Sequence, residues 1–136
     1  YTIPKETQRE YIIEPYFYIY DGYPYVYYET SIVIPLFADS SFVGVIGLDL
    51  NLDSLQRNLQ KIKPFNSGYL SLISFQGQII SHQDSSYITK NFYEYLRADD
   101  TLTKVQIEKG IEFSLETISE FTGKKVFRFL SFQYRD

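Results

Sequence analysis

The sequence predicts an α+β protein in which antiparallel sheets are joined by one connecting helix. Three stretches carry that prediction. Residues 25–34 alternate, with Val26, Tyr28, Thr30, Ile32 and Ile34 on one side and Tyr25, Tyr27, Glu29, Ser31 and Val33 on the other, which is the two-residue period of a strand. Residues 42–50 form a short apolar run rich in Val and Ile, too short for a typical helix, so they read as a largely buried strand. Directly after it, Leu52, Leu55, Leu59 and Ile62 recur at helical spacing until Pro64, which cannot continue a helix.

The remaining elements follow in order. Residues 1–15 are polar and carry Pro4 and Pro15, and residues 5–11 allow at most a short helical turn. Residues 16–20 read as a strand, and Asp21-Gly22-Tyr23-Pro24 as a turn, because glycine tolerates positive φ and proline donates nothing to a ladder. Pro35 disturbs the next strand near its end, and Ala38-Asp39-Ser40-Ser41 makes the hairpin connection into Phe42. Residues 16–50 are therefore three consecutive strands, most simply an antiparallel meander.

The helix begins at Asn51 or Asp53, either of which can cap it. Residues 68–74 and 78–82 form a second hairpin around Phe75-Gln76-Gly77-Gln78. Residues 84–97 read as a loop leading into a helix through Phe92, Tyr95 and Leu96. Residues 103–113 and 113–121 alternate as strands, with Gly110 bending one, and Thr122-Gly123-Lys124-Lys125 closes a last hairpin into residues 126–132. The helix at 52–63 is the one plausible boundary between modules.

Composition narrows the class. At 136 residues, 44% apolar and 22% charged, the chain suits one globular domain or two small modules sharing a helix. Fourteen Tyr against no Trp and no Met suit half-buried sheet faces and polar pockets, since each ring carries a hydroxyl that wants a partner. The net charge of −4 argues against a nucleic-acid partner. The absence of Cys excludes disulfides and thiol chemistry and leaves the compartment open. No run approaches the ~18 apolar residues of a membrane span.

Asp49 is the residue of most chemical interest. It sits among Ile46, Gly47, Leu48 and Leu50, where a charge without a partner is costly. Two readings stand side by side: it accepts a charge-assisted hydrogen bond from a ligand ammonium, or it caps the following helix or pairs with a lysine. Enzyme signals are thin. There is no Gly-flanked Ser elbow, no phosphate-binding glycine loop and no histidine with an evident nucleophile. A Glu29–Asp49 pair across neighbouring strands is weak support for acid–base work, because carboxylates are common on sheets. His82, the single histidine, lies near Asp84 without a recognised metal spacing, so neither metal nor cofactor is expected. Arg128 and Arg135 read as solvated surface residues.

Gly44-Val45-Ile46-Gly47-Leu48-Asp49-Leu50, followed by Leu52 and Leu55-Gln56, resembles the signature of the double Cache family, the extracytoplasmic sensor domains of bacterial chemoreceptors, histidine kinases and cyclases. Tyr1 with Pro4 resembles the end of that family's Trp-Tyr motif, and Glu14-Pro15-Tyr16 its Pro-Tyr element. Ser67-Gly68-Tyr69 through Gly77-Gln78-Ile79-Ile80-Ser81-His82 resembles the opening of its second module. The match covers roughly residues 1–90.

The resemblance implies a PAS-like Cache fold: residues 1–50 from a membrane-distal module, 51–65 as connecting helix and 66–136 from a membrane-proximal module. It implies a ligand-sensing function rather than an enzymatic one, in a periplasmic domain whose parent is anchored by spans outside this chain and is a homodimer. It also implies that the chain is a fragment, with a long helix and first strand upstream. In the family, Asp49 matches the position that holds a ligand amine, Tyr1 and Tyr16 match positions lining the same pocket, and Ser31 aligns with a position often held by Thr. The Arg and Trp that grip a ligand carboxylate would lie just before Tyr1, which leaves open whether the small metabolite is an amino acid, an amine or a carboxylate; Tyr18 stands where many members have Asp. The rival expectation is a ligand-free dimerisation scaffold whose Tyr-rich surface packs against another chain.

Overall fold

The computed structural model describes residues 1–96, 101–119 and 121–131. They fall into two compact units, Tyr1–Thr89 and Lys90–Asp136. The first opens with the short helix α1 (Thr2–Thr7), closed by Gln8 at φ 57, whose N–H bonds the Pro4 carbonyl. The strands β1 (Tyr11–Ile12) and β2 (Tyr16–Tyr18) both pair antiparallel with β3 (Tyr27–Ala38), setting Tyr11 opposite Val33 and Tyr16 opposite Glu29. The other edge of β3 takes β4 (Ser41–Asn51), with Ser31 opposite Asp49. The fold is thus α+β with an antiparallel sheet, as the alternation predicts, and β1 is an addition to the expected meander.

Asp39 and Ser40 turn the β3–β4 hairpin with φ of 48° and 65°; two successive positive values give the two-residue turn whose twist matches its strands. Pro35 does not end β3. It lies beyond Val33, where pairing with β1 stops, so the ladder to β4 runs through it opposite Val45 and the irregularity falls between Leu36 and Phe37. Among the described residues β4 pairs only with β3. Among the described residues no strand pairs with its second edge along its 11 residues, and Val43, Ile46 and Leu48 are exposed.

The helix α2 (Leu52–Leu59) starts where the sequence placed it, and Asn51 rather than Asp53 is the cap: its Oδ1 accepts the Ser54 N–H at 3.1 Å. Leu52, 1% exposed, forms a core with Tyr28 and Ile80, against which Leu72 and Ile88 pack. Only part of the predicted stripe is used, since Leu55 and Ile62 remain exposed and the helix stops short of Pro64. The second hairpin is present but shorter than expected, as β5 (Leu72–Ile73) and β6 (Ile79–Ser81).

In the second unit, the helix expected through Phe92, Tyr95 and Leu96 is a single 3-10 turn, Phe92–Glu94, capped by Asn91. The strand expected from residue 103 is instead a helix, α3 (Thr101–Glu108). Its alternating Thr103, Val105 and Ile107 mimic a strand, but the buried pair is Thr103 and Ile107, one helical turn apart. Gly110, at φ 63, is its terminator rather than a bend in a strand, its N–H bonding the Ile107 carbonyl at 2.9 Å. The last hairpin follows as β7 (Phe113–Ile118) and β8 (Lys125–Leu130). Arg128 is not a purely solvated residue, for its guanidinium lies 5.7 Å from the Phe92 ring centre. Phe132 and Arg135 lie outside the described residues.

Candidate ligand-binding site

Strand alternation sets two chemically different faces on β3. Tyr28 and Thr30 face the core side, where the Phe17 ring packs 4.9 Å from that of Tyr28 and the Thr30 hydroxyl donates to the Ile13 carbonyl. Glu29, Ser31 and Val33 take the opposite face. The register brings Asp49 of β4 directly across from Ser31, and Tyr16 of β2 across from Glu29, onto that same face.

There the side chains form a continuous hydrogen-bonded row. The Ser31 hydroxyl donates to Asp49 Oδ1 at 2.6 Å, and Tyr16 OH lies 2.7 Å from Ser31 Oγ. Because the carboxylate only accepts, Ser31 spends its proton on Asp49, and the tyrosine hydroxyl donates to Ser31. A longer contact of 3.4 Å joins Tyr16 OH to Asp49 Oδ1. Three of the four residues singled out in the sequence therefore meet.

Tyr1 does not join them. It is 67% exposed, and its ring packs edge-on against Phe42 at 5.4 Å, near the opposite end of β4 from Asp49.

Asp49 is exposed and caps nothing, the capping role belonging to Asn51. Among the described residues no Lys, Arg or backbone amide meets it. Beside it lies a second polar pair that sequence reasoning did not assemble. Glu29 is 5% exposed and its Oε2 accepts the Tyr20 hydroxyl at 2.9 Å. That hydrogen bond, reinforced by burial and by the negative charges of Glu29 and Asp49, pushes the Tyr20 hydroxyl up to about 12. The rings continue the wall: Tyr16 to Tyr18 at 6.5 Å, Tyr18 to Tyr20 at 4.7 Å and Tyr20 to Tyr27 at 5.5 Å, all edge-on. The signal for Glu29 was present, since it stands two residues from Ser31 on the same face; its partner Tyr20 lies beyond the end of β2 and no period reveals it.

His82 belongs elsewhere in this unit. It is buried between the rings of Tyr69 and Tyr87, each 5.1 Å away, with Nδ1 against the backbone of Asp84. Burial pulls its pKa below the ordinary imidazole value. Its carbonyl accepts from Gln60 Nε2 at 3.1 Å, tying β6 to the segment after α2. Among the described residues no three His, Cys, Asp or Glu side chains stand together as metal ligands, and no helix is long and apolar enough to cross a membrane.

No protein-family model matches the chain. Among curated relatives, the methyl-accepting chemotaxis protein PscA of Pseudomonas syringae pv. tomato is 33% identical over 64 residues, 47% of this chain and 10% of that protein. Among solved structures, the extracellular domain of mmHK1S-Z3, a protein named as a histidine kinase, is 31% identical with a TM-score of 0.77, over 95% of this chain and 46% of that one. The ligand-binding domain of the Pseudomonas aeruginosa amino acid chemoreceptor PctC, solved with GABA, is 26% identical with a TM-score of 0.52, over 70% and 40%. The chain spans about half of the first solved domain and a tenth of the chemotaxis protein. The resemblance carried by residues 44–50 thus extends through the fold, and in fold and sequence the chain is similar to a Cache-like extracellular sensor domain of a histidine kinase and to part of a chemotaxis protein.

Proposed function

We propose that the chain is the ligand-binding part of a transmembrane signalling protein, and that Asp49, Ser31 and Tyr16 hold the amino group of a small metabolite. The observation that supports this is the state of the Asp49 carboxylate: Oδ1 takes the Ser31 hydroxyl, and no cation or backbone amide among the described residues answers its charge. An ammonium placed there makes charge-assisted hydrogen bonds to Asp49 and takes further contacts from the neighbouring tyrosines. PctC, whose solved domain holds GABA, offers a precedent for an amine ligand on this fold. Tyr1, packed on Phe42, has no part in the row of hydrogen bonds.

In this reading residues 1–50 belong to a membrane-distal module, 51–65 connect, and 66–136 belong to a membrane-proximal one, in a homodimeric parent anchored by segments outside this chain. Ligand and signal are linked only through the ligand's difference in affinity for two arrangements. Helix α2 begins three positions after Asp49 and packs on β3 and β6, which makes it the first carrier of the shift. Thermal melting with a panel of amino acids, amines and carboxylates tests the binding: an ammonium compound should raise the melting point, and Asp49→Asn should abolish the rise while leaving the unliganded melt within a degree or so, because Asp49 is exposed. The exposed rings of Tyr18, Tyr23 and Tyr25 favour one rival, a dimerisation scaffold. No shift with any compound, together with a tight dimer, would establish that rival instead.

A further inference from the structure

Glu29 carries a consequence for what the ligand is. It lies on the face of β3 that bears Ser31, opposite Asn51 and Tyr16 in register, which makes it the diagonal neighbour of Asp49 across the β3–β4 ladder, about 7 Å away. It is 5% exposed, yet among the described residues its one hydrogen bond comes from the neutral Tyr20 hydroxyl to Oε2, and no ion pair reaches it. A carboxylate held so deep by a single neutral donor is a costly arrangement, and a cation completes it. Oε1 is left with no protein donor among the described residues. Tyr16 bridges the two carboxylates, its backbone opposite Glu29 and its hydroxyl at Ser31 and Asp49, while the rings of Tyr18, Tyr20 and Tyr27 continue the wall past Glu29; such rings offer apolar contact to methylenes and π-faces to an ammonium.

We propose that Glu29 is a second anchor of the same site and that the ligand is an organic dication of the diamine class, one ammonium on Asp49, Ser31 and Tyr16 and the other on Glu29, with its methylenes beside the Tyr16 ring. This rests on the reading of Asp49 as the amine-holding residue. A ligand carboxylate in the second position meets like charge, so simple amino acids are disfavoured; a monoamine leaves Glu29 uncompensated.

Isothermal titration of the full-length protein with diaminobutane, mono-N-acetyl-diaminobutane, butylamine, L-serine and GABA tests this. The expected result is diaminobutane binding about tenfold or more tighter than its acetylated form or butylamine, the scale of one lost charge-assisted contact, with Glu29→Gln bringing the three to similar affinity. Equal binding of the acetylated compound, or a preference that survives Glu29→Gln, overturns the proposal. Because the acetylated probe is compared on the unaltered protein, the test stands even where the variant fails to fold. Preferred binding of serine or GABA that Asp49→Asn abolishes overturns the second anchor and leaves the amine site in place, whereas no binding of any probe overturns both.

Discussion

Asp49 was legible because a charge in a run of Ile, Gly and Leu needs a reason, and Tyr16 and Ser31 because a family resemblance pointed to them. What the sequence left open was the choice between ligand and cap. The structure assigns the cap to Asn51, a difference of two positions that rests on which side chain faces the first turn. The Tyr20–Glu29 pair was not legible, since it depends on how the chain leaves β2. At this scale, Tyr16→Phe removes a donor to Ser31 and leaves the ring; ligand affinity should fall several-fold while chemical denaturation shifts by no more than about 1 kcal/mol. His82 sets a pH dependence. Its folded pKa lies below the unfolded one, so the unfolded chain binds the proton first as pH falls, and the stability His82 contributes is full above the ordinary imidazole value and is lost below it. Melting points measured from pH 7.5 to 5 should therefore decline, and the decline should flatten in His82→Gln.

Among the elements, those fixed by nearby residues came out as the sequence implies, and those fixed by tertiary contact did not. The Asp39–Ser40 turn and the start of α2 depend on local chemistry. Residues 101–108 satisfy both periods at once, and packing of Thr103 and Ile107 decides for the helix. The stripe on α2 promised four buried positions, but only Leu52 is fully enclosed. Leu52→Ala should accordingly cost about 2–5 kcal/mol in urea denaturation, while Leu55→Ala costs far less. Asn51→Ala should cost about 1 kcal/mol through the lost Ser54 contact.

For the molecule as a whole, sensing requires that binding near β4 alter what lies beyond α2. Ligand at about 100 times its Kd adds about 2.7 kcal/mol to the stability of whatever binds it, enough to bias two arrangements of similar energy. Substitutions on the exposed side of α2, at Leu55 or Arg57, should leave affinity unchanged and alter output in a signalling assay. If both stay unchanged across a series, α2 is not the carrier. The second edge of β4, finally, has a practical corollary. A row of amide and carbonyl groups that no strand covers among the described residues, flanked by Val43, Ile46 and Leu48, is a template onto which further molecules can stack, strand by strand. Concentrated samples of this polypeptide by itself will therefore creep toward oligomers, visible as sedimentation coefficients that climb with loading, and a lysine at position 43 or 48 will hold them monodisperse.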